Sequence, residues 1–202
     1  MPYDYIFLPI AAYFLGSIPF GVLLSRYCSD VNIREGGSRN IGATNVWRLA
    51  GIKPGLFTLA ADVLKGLAPV CLAVELAGRY GGWEGESYVS LVALSVFFGH
   101  LYSIFLKFDG GKGVATAAGC MVVIAPGPLF LSIIGFAVTL HRWRYVSAGS
   151  LTGAVLLPVG VWLFMESIFY LCLSIIMAFF MFFKLQDNIK RLLAGTESRF
   201  SP

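Results

Sequence analysis

Long stretches almost free of charge constrain this chain more than any motif does. Ile6–Leu24 and Tyr88–Leu106 contain no Asp, Glu, Lys or Arg, and Gly55–Leu76 carries only Asp62, Lys65 and Glu75. A helix of about 20 mostly apolar residues crosses the ~30 Å hydrocarbon layer of a bilayer, and all three segments are long enough. Ser147–Phe164 and Ile168–Phe183 are shorter but adequate, with Glu166 between them. Composition agrees: 57% of residues are hydrophobic and 13% charged, with a mean hydropathy of +0.78. Soluble domains sit near about 45–50% apolar and about 25% charged. The chain therefore reads as an all-α integral membrane protein, with residues 1–202 forming one helix bundle and one domain.

No basic residue precedes Arg26, and no small-residue cleavage site stands out. Ile6–Leu24 is thus expected as a retained first helix rather than a signal peptide. Val114–Leu140 is too long for one relaxed span and is interrupted by "APGP" at Ala125–Pro128. Closely spaced proline and glycine end helices, so it is either one kinked span or two short ones joined by a tight turn. Charge favours two. With seven transmembrane helices, thirteen of the fifteen Lys and Arg residues, all but Lys65 and Arg79, fall on one side. The positive-inside rule then makes that side, with the C-terminus, cytoplasmic and leaves the N-terminus outside.

On that face lies "GGSRNIGATNVWR", Gly36–Arg48, which has no carboxylate. Arg39 and Arg48 can fork onto phosphate oxygens, while Ser38, Asn40, Thr44 and Asn45 supply neutral donors. A plain positive-inside loop explains the arginines, but not the density of glycine and short polar side chains. "FDGGKGVAT", Phe108–Thr116, runs into a helix. Gly110, Gly111 and Gly113 let backbone N–H groups approach a ligand, and Lys112 adds a full charge, which suits a phosphate. It does not match the Walker A spacing. A glycine-rich cap with a snorkelling lysine is the alternative. "HRWRYVSAGS" offers Arg144, Ser147 and Ser150, although basic residues flank spans routinely. The tail "LQDNIKRLLAGTE" is a fourth polar element.

Asp62 and Lys65, three apart on one helix face, read as a self-neutralising buried pair that braces the bundle. His100 reads as a hydrogen-bonded residue at a helix contact. Gly16, Ser17 and Gly21, then Gly113, Ala117 and Ala118, then Gly149 and Gly153, read as close helix packing. Cys28, Cys71, Cys120 and Cys172 form no C-x-x-C, and with two histidines neither a disulfide framework nor a metal site is expected.

At these motifs the sequence resembles the PlsY-type bacterial acyl-phosphate:glycerol-3-phosphate acyltransferases. The likeness runs through "GSIPFG" (16–21), "GSRNIGATNVWR" (37–48), "DVLKG" (62–66), "GHLY" (99–102), "GGKGVATA" (110–117), "RYVS" (144–147) and "NIKRLLAGTE" (188–197). It implies seven helices in the cytoplasmic (inner) membrane and acyl transfer to the 1-hydroxyl of glycerol-3-phosphate. The products are lysophosphatidic acid and phosphate. It also implies phosphate contacts at Ser38, Asn45, Arg48, Lys112, Ser150 and Asn188, of which Lys112, Ser150 and Asn188 are the catalytic candidates. No cofactor, metal or nucleic acid is implied; the partners are the two substrates, membrane lipid and, functionally, the enzyme that makes acyl phosphate. Leu185 stands where the family commonly has histidine, and Asp109 where lysine is frequent.

Two phosphate substrates suit a site without carboxylates, rich in basic and N–H donors. The H-x-x-x-x-D pairing of other acyltransferases is absent, since Phe105 and Val146 stand five residues beyond His100 and His141. A phosphate oxygen of a bound substrate is then the expected proton acceptor; a covalent acyl-enzyme is the alternative, with no obvious nucleophile. A transporter of a phosphorylated solute would use similar anion loops but favours internal repeats, and none is evident. A non-catalytic paralogue would account for Leu185.

Overall fold

Pro19 sets the first feature of the computed structural model, which describes residues 4–29, 31–78 and 81–200. The run expected as one helix is split into α1 (Asp4–Ser17) and α2 (Phe20–Ser29). A prolyl nitrogen has no hydrogen to give, and its ring crowds the preceding turn. The Ser17 and Ile18 carbonyls fall at the break; Ser17 O accepts from Ser103 Oγ, and Ile18 O from Lys65 Nζ as well as from Phe20 N. Such replacement is what lets a helix break inside a membrane.

The chain forms two compact units, Met1–Val123 and Ile124–Pro202. After α2, the first unit holds α3 (Ala43–Ala50), α4 (Ile52–Ala77), α5 (Gly82–Leu101), a 3-10 turn at Ile104–Leu106, and all but the last residue of α6 (Val114–Ile124). Glycine brings backbones together here. A Cβ on Gly16 of α1 would strike Val96 O of α5, and one on Gly99 of α5 would strike Tyr13 O of α1. Gly66 and Gly119 do the same for α4 and α6, against Thr116 O and Val63 O. Val92, Val96, Phe97 and Leu101 line the fully buried face of α5.

The second unit holds α7 (Pro126–Trp143), α8 (Val146–Phe164), α9 (Ile168–Lys184) and α10 (Gln186–Leu193). α7 and α8 are linked by Arg144 and Tyr145 and share a hydrogen bond from Thr139 Oγ1 to Thr152 Oγ1. As expected, Gly149 packs closely, against Phe136 of α7. α9 and α10 meet at a 58° bend centred on Leu185.

The segment over Val114–Leu140 is two separate helices: Ala125 is non-helical, and Pro126 opens α7 without needing an N–H partner. At about 16 Å, α6 is shorter than the ~30 Å bilayer core, so a crossing there requires local thinning of the bilayer. Among the described residues, Tyr5–Ser29, Ile52–Ala77, Gly82–Leu106 and Val146–Phe164 are long and apolar enough to cross, and the α9–α10 pair, bent by 58°, is either a fifth, broken span or a re-entrant loop. Phe7, Phe57, Phe130, Trp162 and Phe179 all expose more than 60% of their surface, as lipid-facing rings do. The protein is an all-helical integral membrane protein among its described residues; Arg79, the one loop cation assigned to the opposite side, lies outside them.

Candidate functional site

Asn45, buried in the first turns of α3, organises the stretch around it. Its Nδ2 donates to Ile33 O and Asn40 O, both at 2.9 Å, and to Gly36 O at 3.3 Å. Its Oδ1 accepts from Ser38 N at 2.9 Å. Both amide hydrogens are thus engaged inside the loop, which corrects the expectation that Asn45 donates to an anion: it holds the loop's shape. Gly37 sits at φ +58°, and a Cβ there would overlap Asn45 Oδ1. Asn40 Oδ1 accepts from Gly42 N at 2.9 Å. Ser38, Asn40 and Thr44 are half-buried, while Arg39 and Arg48 are exposed. Arg39 adopts φ 55°, a strained choice for a non-glycine residue, and its N–H donates to Gly36 O.

In the same unit the chain leaves α5, reverses through Lys107 and Phe108 in left-handed conformations, and lays the glycine loop back on the helix end. Gly110 N donates to Leu101 O at 3.2 Å and Gly111 N to His100 O at 2.9 Å. Those two amides are therefore not the ligand donors expected of them; they close the end of α5. Gly111 is glycine because the His100 ring lies against it, and Gly113, at φ +81°, because Phe97 and Leu101 do. Lys112 stands half-buried between them. The Asp62–Lys65 pair forms as expected, 2.8 Å apart and buried, with His100 Nδ1 3.7 Å from the same carboxylate oxygen. Asp109 accepts from Arg34 Nη2 at 2.9 Å, tying the glycine loop to the Asn45-centred loop.

In the second unit a residue that the sequence reading did not single out gathers the others. Glu197 Oε1 accepts from Ser147 Oγ at 2.7 Å and Asn188 Nδ2 at 2.6 Å, and its Oε2 from Arg191 Nε at 2.7 Å. Burial pushes this carboxyl's pKa up. The bonds from Ser147, Asn188 and Arg191, with the Arg191 charge, outweigh that and hold it below its ordinary value. The expectation of a carboxylate-free group fails here. The sequence signal was an acid placed after the basic residues Lys190 and Arg191 in the tail. Gly195, at φ +68°, ends α10 and turns the tail back, and Phe200 N then donates to Arg144 O at 2.6 Å. Arg144 is exposed, with φ 62°. Ser150 Oγ donates to Val146 O at 2.9 Å, so an anion must draw that hydrogen from the backbone. Leu185 is 1% exposed and packs rather than faces solvent.

The structure thus joins the candidates in two sets: Ser38–Arg48 with Gly110–Gly113 in the first unit, and Ser147 with Asn188 in the second. A family model described as glycerol-3-phosphate acyltransferase matches residues 6–195. The chain is 45% identical over 195 residues to a glycerol-3-phosphate acyltransferase of Geotalea daltonii, covering 96% of this chain and 97% of that one. It is 42% identical over 191 residues to one of Syntrophotalea carbinolica, covering 95% of each. Among solved structures, PlsY, an integral membrane glycerol 3-phosphate acyltransferase, is similar in its glycerol 3-phosphate form with a TM-score of 0.91 at 34% identity, covering 98% of this chain and 96% of that one. Its lysophosphatidic acid form gives 0.87 at 33% identity.

Proposed function

Since the chain belongs to the glycerol-3-phosphate acyltransferase family, we propose that it moves a fatty acyl group from acyl phosphate to the 1-hydroxyl of glycerol-3-phosphate. The hydroxyl oxygen attacks the acyl carbonyl, the carbonyl–phosphate oxygen bond breaks, and lysophosphatidic acid and phosphate result. The hydroxyl proton passes to a phosphate oxygen of a bound substrate, because the histidine–carboxylate contact among the described residues, His100 Nδ1 3.7 Å from Asp62 Oδ1, is buried and beyond hydrogen-bond distance. Acyl phosphate is already activated, so catalysis is chiefly positioning and charge stabilisation.

The observation that carries this reading is a family match over residues 6–195, which takes in the candidate site residues and reaches into both units; it also supports treating residues 1–202 as one catalytic domain. Lys112 is assigned to a substrate phosphate, with Ser38, Arg39, Asn40, Thr44 and Arg48 as further donors and Gly110, Gly111 and Gly113 as the frame that fixes the lysine. Ser147, Ser150, Asn188 and Arg144 are assigned to the second phosphate or the leaving group. Seven crossings of the bacterial inner membrane, with the N-terminus outside and the C-terminus and reacting groups cytoplasmic, follow from the charge asymmetry. An enzyme that makes acyl phosphate is the functional partner.

Purified protein in detergent, given radiolabelled glycerol-3-phosphate, should form lysophosphatidic acid with acyl phosphate and not with acyl-CoA. Turnover with acyl-CoA alone would overturn the donor assignment, and no turnover with either would overturn the activity.

A further inference from the structure

Asp62, Lys65 and His100 are buried ionisable groups that the reaction above leaves without a part. We propose that His100 is a positioning residue: its ring and carbonyl form the rest on which Gly111 lies, and so set where the Lys112 ammonium stands. The proposal rests on the reading that Lys112 holds a substrate phosphate.

His100, next to the end of α5, is 4% exposed. Its carbonyl accepts from Gly111 N at 2.9 Å. The three atoms nearest to a Cβ placed on Gly111 are all in its ring, Nε2, Cε1 and Cδ2, and all lie inside normal contact. Gly111 is not in the left-handed region, so the imidazole, rather than backbone conformation, is what excludes a side chain there. The ring sits against the buried pair, beyond hydrogen-bond distance of it. Its Nδ1 lies 3.7 Å from Asp62 Oδ1, that oxygen lies 2.8 Å from Lys65 Nζ, and Lys65 donates to Ile18 O at 3.1 Å. Contacts therefore run from the Pro19 break, across α4 and α5, to the residue preceding Lys112. A bundle brace alone would be complete with the Asp62–Lys65 pair, which neutralises itself. Placing an imidazole between that pair and a glycine with no room for a methyl extends the brace to the reacting loop.

The test is a double-mutant cycle on the full-length protein with His100→Ala, Gly111→Ala and the double variant. Three quantities are read: kcat, KM for glycerol-3-phosphate, and the labelling rate of Lys112 by an amine-reactive reagent relative to that of Lys107, by mass spectrometry. Each single change should lower kcat by roughly a hundredfold, the scale of a small misplacement of a reacting group, and should alter Lys112 labelling. The double variant, in which the methyl enters the space the ring vacates, should recover roughly tenfold over Gly111→Ala, a coupling normal for touching residues. If His100→Ala does not fold, His100→Gln takes its place in the cycle. Losses that simply multiply, with Lys112 labelled at the wild-type rate throughout, would overturn the proposal. Failure of the wild type to turn over would sink the acyltransferase reading, and the labelling cycle would still decide the positioning role.

Discussion

Asn45 and Glu197 perform the same task in the two units with opposite chemistry. In the first unit a neutral carboxamide gathers Ile33, Gly36, Ser38 and Asn40. In the second a carboxylate gathers Ser147, Asn188 and Arg191. A neutral hub adds no negative potential to a loop with exposed Arg39 and Arg48, so that loop keeps its attraction for an anion at any pH. A carboxylate hub engages the guanidinium of Arg191 and makes its surroundings sensitive to protonation. In the proposed site, Arg39, Arg48 and Lys112 of the first unit supply charge, and the second unit adds Arg144 beside neutral donors held in register.

The sharpest way to break that comparison is Asn45→Ala. It removes two donor hydrogens, shared among three carbonyls, and one acceptor in a buried position. At about 1 kcal/mol for each of these three, this removes about 3 kcal/mol from the unit's stability. Thermal unfolding in detergent should show a clear fall, and turnover should drop with it as the loop loses its shape. Asn45→Asp keeps the acceptor for Ser38 N but faces the Ile33 and Asn40 carbonyls with a carboxylate. It should be no better than alanine. Wild-type melting and kinetics in either variant would remove Asn45 from the centre of the loop.

Glu197→Gln is the smaller perturbation, because the amide keeps the size and one acceptor oxygen. Folding holds the Glu197 carboxyl below its unfolded value. Its stabilisation is therefore complete above the ordinary glutamate range and is lost as pH falls through the depressed value. The wild type should lose more thermal stability than Glu197→Gln as pH falls from neutral through the ordinary glutamate range, at about pH 4.3, and below it. Parallel melting curves across that range would show that the carboxylate does not stabilise the tail.

The membrane-spanning, all-helical character was legible because apolar run length is a one-dimensional property, and the break at Ala125 was legible because "APGP" cannot continue a helix. The break at Pro19 carried the same kind of signal. The long uncharged run around it read as one helix, and the side chains that satisfy its freed carbonyls, Lys65 and Ser103, come from distant positions. The functions of individual polar residues were harder to read. A carboxamide is donor and acceptor at once, so sequence does not reveal that Asn45 faces carbonyls rather than an anion. Glu197 meets Ser147 only because Gly195 turns the tail back over fifty positions of chain. The glycines of the Lys112 loop were recognised as necessary, but for ligand approach. Gly110 and Gly111 are needed so that the chain can lie against His100, a contact that exists only once α5 has ended and reversed.

The most direct measurement of the central claim is the steady-state kinetics of Lys112→Ala with acyl phosphate and glycerol-3-phosphate, beside its melting temperature. A charge-assisted contact to a partly desolvated phosphate contributes about 1.5–3 kcal/mol, so kcat/KM should fall by roughly ten- to a hundredfold or more. If the contact strengthens as the acyl group transfers, kcat itself should fall. The half-buried position of Lys112 predicts little change in melting, and Lys112→Arg should rescue poorly because a planar fork does not replace a compact ammonium held between glycines. Near-normal kcat and KM in Lys112→Ala would contradict the account and return the glycine loop to the role of a helix cap.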